Sequence, residues 1–170
     1  TYIGERNFQA MMKGTIYAFL LISLCLIITL KSLRLGLISL IPNMTPPIVA
    51  MGIFAIFNDH VGLWASFVTA TAIGLIVDAT VHMLSKYQHA RINLKYDPVA
   101  SVRYSFSMVG AALAIATLIL ILGFLVLSTS PFFINAMTGM IVAMTIAAAL
   151  VLDFLLLPPL LLLFDTKAHR

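Results

Sequence analysis

Five apolar runs, each near the length of a bilayer crossing, leave this 170-residue chain little choice of fold. A helix needs about 20 mostly apolar residues to cross a ~30 Å hydrocarbon core. Runs approaching that length lie at about 15–30, 35–57, 61–84, 109–127 and 133–164. No water serves backbone amides inside a bilayer, so each run is expected to be helical. The expected fold class is all-α: a polytopic transmembrane helical bundle of five membrane-spanning helices. Composition agrees, at 62% hydrophobic and 9% charged residues, against roughly half and a quarter in soluble domains.

Around the five-helix block, 14–164, the sequence leaves a short extracytoplasmic segment, 1–13, and a basic tail, 165–170. The first residue is Thr rather than Met, so the chain is read as processed or as part of a longer polypeptide. Cys25 sits inside an apolar run and is read as a small buried hydrophobe. The net charge of +4 does not point to nucleic acid, because the basic residues cluster at the ends of apolar runs. Lys31, Arg34, Lys86, Arg91, Lys95, Arg103, Lys167 and Arg170 fall on one side, Arg6 and Lys13 on the other. Cytoplasmic loops collect Lys and Arg, which puts the carboxyl terminus in the cytoplasm and the amino terminus outside. The expected location is a cell inner (cytoplasmic) membrane.

Two connections carry local signals. In the cytoplasmic link, 85–108, Asp97 and Pro98 suit an N-cap and first helical position, which predicts a short interfacial helix. In the second run, Pro42, Pro46 and Pro47 each remove an amide donor. That run is expected to break or kink there, with Asn43 and Thr45 as local partners. The last run is too long for one perpendicular crossing and should bend between Asp153 and the pair Pro158–Pro159.

Asp78 and Asp153 are the acidic residues within the spans. An aspartate at a helix centre costs about 2.5–3.5 kcal/mol on insertion scales, and carboxylates kept there usually have a function. Removed from water, such a carboxyl group becomes easier to neutralise and can carry a proton. Asp78 is therefore the candidate proton-coupling residue. His82, four residues on, shares its helix face, as does Thr71 seven residues before it. Gly74, one turn earlier, would let a neighbouring backbone or a water approach. Asp153 is a second relay candidate, with His82 or Lys31 as conceivable partners, or else it holds the bend. Thr117, in the fourth run, could meet Asp78 or bond back to its own helix. There is no phosphate-binding loop, no Cys/His ligand set and no nucleophile elbow. Neither a metal nor a cofactor nor a catalytic residue is expected, and the chain is read as a non-enzyme.

Taken in order, "KSLRLGLISLIPNMTPPIV", "IGLIVDATVHMLSKYQHAR", "LILILGFLVLSTS" and "LVLDFLLLPPLLLLF" resemble resistance–nodulation–division exporters. The similar branch holds mycobacterial membrane large-protein (MMPL) transporters and hopanoid exporters, with Patched and sterol-sensing domains more distant. The resemblance runs from about Gly14 to Phe164 and is most specific at Gly74-x-x-x-Asp78, where the family places its ion-coupling aspartate. It implies a proton-driven exporter of lipids or other hydrophobic or amphipathic molecules. It also implies partners: membrane lipid, a proton, the other helical half and a porter domain. Within that scheme the chain matches the last five helices of the carboxyl-terminal half, and a homo-oligomer is compatible with it. One departure stands out: Ala79 occupies a position where this branch commonly has Tyr. The competing expectation is a sterol- or lipid-sensing or scaffolding module that does not transport.

Overall fold

The computed structural model describes residues 2–57 and 64–165. Among them every regular element is helical, in the order α1 (Tyr2–Leu30), α2 (Leu33–Phe57), α3 (Trp64–Ile92), α4 (Pro98–Ser105), α5 (Ala111–Leu127), α6 (Phe133–Leu155) and α7 (Leu157–Asp165). A π-turn, Phe106–Gly110, joins α4 to α5 without a break. The all-α expectation holds. Among the described residues three stretches are long and apolar enough to cross a membrane: Leu35–Ile53, Pro98–Leu127 and Phe133–Phe164. The tail at 166–170, whose Lys167 and Arg170 were used above to orient the chain, and the segment 58–63 lie outside the described residues.

The bundle is organised around α3 and α6. α6 packs on α2, α3 and α5, while α3 also meets α1, α2 and α4. Its buried side is a repeating stripe of Ala72, Ile73, Ile76, Thr80, Met83, Leu84, Tyr87 and Ala90, spaced as one face of a helix requires. Leu30, Met83, Leu84, Tyr87, Leu157 and Leu161 close one end of the bundle as a core of α1, α3 and α7 residues. Outward faces stay apolar, as at Ile115, Leu118, Ile119, Leu122 and Val126 of α5, which suits contact with lipid chains.

Local chemistry explains the boundaries. α1 stops where Lys31 takes a left-handed conformation (φ 45°). Gln88 then reaches across from α3 to donate to the Leu30 carbonyl at 2.6 Å. This satisfies one of the carbonyls a helix end leaves open. α3 ends similarly, with Lys95 left-handed (φ 54°) and the Tyr96 amide donating to the Ala90 carbonyl at 3.1 Å. The α5–α6 hairpin turns at "STSP", where Ser128 and Thr129 hydroxyls donate to the Leu125 and Val126 carbonyls at 2.6 and 2.8 Å. Gly139 makes the hairpin tight: a Cβ there would stand 2.5 Å from the Phe124 carbonyl oxygen.

Two expectations need correction, the break in α2 and the separateness of the interfacial helix. α2 runs unbroken through Pro42, Pro46 and Pro47. The prolines are packed inside the bundle, Pro42 and Pro46 fully so, and neighbouring helices can sustain a membrane helix that has lost amide donors. The predicted local partners act differently: Thr45 donates to the Ile41 carbonyl at 2.7 Å, whereas Asn43 turns away toward α3. The interfacial helix exists where Asp97 caps it, accepting from the Ala100 amide at 3.4 Å. It is not a separate element, however, because it continues through the π-turn into the spanning helix. α3 extends to Ile92, eight residues beyond Leu84, since nothing between them breaks a helix. In the last run, α6 and α7 are separated at Leu156, one residue short of the prolines' own turn.

Candidate functional site

The two carboxylates of the expected spans, Asp78 and Asp153, occupy opposite environments. Asp78 and His82 meet at 3.5 Å on one face of α3, with their side chains 77% and 59% exposed in this chain. Thr71 and Gly74 lie on the same exposed side, and nothing stands within 4 Å of a Cβ placed on Gly74. The polar stripe foreseen from periodicity therefore forms, and it points away from the remaining helices of this chain. Among the described residues no other helix covers Asp78 and His82.

Asp153 is buried, at 4% exposure. The Thr80 hydroxyl lies 3.2 and 3.3 Å from its two carboxyl oxygens, and 2.8 Å from Oδ1 of Asn43 on α2. Thr80 and Asn43 are themselves fully buried. Three helices thus contribute one side chain each to a single polar cluster. Asn43 Nδ2 within it is buried and without a hydrogen-bond partner. The conceivable partners of Asp153 were His82 and Lys31; the partner found is Thr80, because α3 turns its buried face, not its Asp78 face, toward α6.

A cavity of about 30 Å³ adjoins this cluster and is lined by Ala79, Met83, Leu113, Thr117, Asp153 and Phe154 among others. That volume is enough for a water molecule, which needs about 10–15 Å³ measured this way. Thr117 shares this space with Asp153 rather than meeting Asp78. Ala79 borders it too, so the small residue following Asp78 leaves room beside the other carboxyl group. Thr80 is the member of the cluster that the sequence did not single out. It sits two positions past Asp78, hence on a different face, and its partners are 37 and 73 residues away. Among the described residues there is no group of His, Cys, Asp or Glu able to hold a metal ion.

A helical membrane bundle with one carboxylate–imidazole pair on an open face and one buried carboxyl cluster has the make-up of a transporter-like module. The family comparison sharpens this: the MMPL family model matches residues 5–168, nearly the whole chain. The chain belongs to the MMPL family, within the resistance–nodulation–division superfamily, and is a multi-pass membrane protein. No curated protein matches it significantly.

Proposed function

We propose that the chain is the membrane-embedded part of a proton-driven exporter of lipids or other amphipathic molecules, a carrier rather than an enzyme. Asp78 serves as its coupling carboxylate. The observation that carries this reading is the exposed Asp78–His82 pair on α3. A carboxylate at membrane depth costs about 2.5–3.5 kcal/mol when left to lipid, so that face requires protein or water against it. A second helical block, as expected for the family, supplies such a cover and leaves Asp78 at the seam between blocks. Protonation there removes a charge from the seam and changes how α3 packs, which biases the bundle between two arrangements.

In this reading all five runs cross the bilayer. The eight-to-two division of Lys and Arg supports a cytoplasmic carboxyl terminus. Porter and second-half segments complete the machine, and cargo is chosen outside the helices described. The test is Asp78→Asn in the intact reading frame, reconstituted in vesicles with an imposed pH gradient. Efflux should vanish while insertion and yield persist. Undiminished proton-driven efflux in that variant refutes the assignment. Lipid binding that ignores the gradient in both proteins would favour a sensing module instead.

A further inference from the structure

The buried cluster holds more hydrogen-bond acceptors around Thr80 than its hydroxyl can serve. Thr80 has one O–H to give, yet three side-chain oxygens surround it: Oδ1 of Asn43 at 2.8 Å and both oxygens of Asp153 at 3.2 and 3.3 Å. The Ile76 carbonyl, at 3.5 Å, is a fourth and weaker claimant. Asn43 Nδ2, which has protons to donate, meets no acceptor. One donor therefore faces an excess of acceptors in a site with almost no solvent contact, where unmet polar groups are costly.

Two arrangements relieve the conflict, and they differ by one proton. In the first, a proton from solvent water bonds to an Asp153 oxygen, the resulting O–H donates to Thr80 Oγ1, and Thr80 donates to Asn43 Oδ1. In the second, Asp153 is ionised and accepts from Thr80. The Asn43 amide has then made a half-turn, so that Nδ2 donates to Thr80 Oγ1. No covalent bond changes except the O–H on Asp153. The direction of the whole chain reverses.

We infer that Asn43, Thr80 and Asp153 form a second proton-binding site, in which proton uptake at Asp153 reverses a hydrogen-bond chain linking α2, α3 and α6. The geometry favours it in two further ways. The adjoining cavity reaches Asp153 and Thr117 and has the volume for a water molecule beside the carboxyl group. Among the residues whose side chains are described, Asp153 is the charged residue that is buried. α5 has no charged residue and α7 none before Asp165 at its end. α2 presents Asn43. On α3, Asp78 and His82 project onto the exposed face, and Lys86, His89 and Arg91 follow toward its far end. Because the three residues sit on three helices, the reversal changes the contact between them and not only the state of one side chain. The site deepens the proton-coupled reading but stands on its own geometry, since none of its members touches Asp78.

Infrared difference spectroscopy on the intact reconstituted protein, stepped between neutral and acidic pH, reads both halves of the claim. Acidification should produce a carboxylic-acid C=O band that Asp153→Asn removes and Asp78→Asn leaves in place. With isotope-labelled asparagine, an amide carbonyl band should move in the same step, and Asn43→Leu should abolish that movement. Thr80→Val deletes the link while keeping shape. The acid band should then move to higher frequency, as a carboxyl group that has lost its hydrogen bond does, and the amide response should disappear. Thr80→Ser should restore both. An acid band insensitive to Asp153→Asn, or an amide response that survives Thr80→Val, overturns the proposal. Retained efflux in Asp78→Asn with the Asp153 band intact would defeat the Asp78 assignment alone.

Discussion

Replacing Gly139 by Ala tests whether the α5–α6 hairpin is held by backbone contact. A Cβ at residue 139 would lie 2.5 Å from the Phe124 carbonyl oxygen, 2.6 Å from the Ser128 nitrogen and 3.0 Å from the Leu127 carbonyl carbon. Non-bonded heavy atoms rest at about 3.5–4.0 Å, so α6 must back away by about 1 Å. The atoms in the way are main chain and belong to the last turn of α5, where the Ser128 amide donates to Phe124 at 2.9 Å. They cannot swing aside as a side chain would. Overpacking of this kind costs about 1–3 kcal/mol, and the Gly-to-Ala gain in helix propensity returns no more than about 1 kcal/mol. The net expectation is a loss of up to roughly 2 kcal/mol on those two estimates. Gly123→Ala is the matched control. It lies in the same hairpin with nothing within 4 Å of its Cβ position, so only the propensity term applies and stability should hold or rise. Reversible unfolding in mixed micelles, titrated with a denaturing detergent, measures both. Equal midpoints for the two variants would refute the reasoning.

Other sites make further tests. Gln88→Leu takes away the donor that reaches the Leu30 carbonyl at 2.6 Å; a loss of about 1 kcal/mol is expected from one hydrogen bond, visible in the same titration. Asp97→Ala removes the cap on the Ala100 amide and should cost about 1 kcal/mol, with faster hydrogen exchange at Ala100 and Ser101. Leu84→Ala, at a position with no exposed surface in the α1–α3–α7 core, should lose about 2–5 kcal/mol in the unfolding titration. Thr80→Val keeps volume but strands one buried donor and one buried acceptor on its neighbours, so it should destabilise more than Thr80→Ser, by about 1–3 kcal/mol.

What the sequence discloses here follows from range. Asp78 and His82, four residues apart, are on one face by helical geometry alone, and Asp97 before Pro98 announces a helix start to anyone reading those two letters. The apolar runs likewise dictate an all-helical chain. Proline in α2 misled because its effect depends on surroundings: with Pro42 and Pro46 buried among other helices, the helix persists where an isolated one would fail. The Asn43–Thr80–Asp153 cluster was hidden for a different reason. Local periodicity says that Thr80 and Asp78 point different ways, but not which of those ways is inward. That choice is made by α2 and α6, and only the packed bundle contains it. Asp78 drew attention as the carboxylate in a recognised spacing, while the better-buried carboxyl belonged to Asp153.

The π-turn at Phe106–Gly110 has a consequence for length. On the continuous helix from Pro98 to Leu127, the residues that turn inward include Ser101, Ser105, Gly110 and Thr117. The steps of four and seven fit an α-helix, whereas the step of five between Ser105 and Gly110 fits one i→i+5 turn. The segment therefore holds one residue more than a uniform helix needs to keep these positions in phase. Removing a single residue from 106–110 would convert the turn to α geometry and leave the inward row aligned. The same deletion within α5 would rotate every later residue by about 100°, given 3.6 residues per turn. This short stretch is thus where the helix can lose a residue without losing its face.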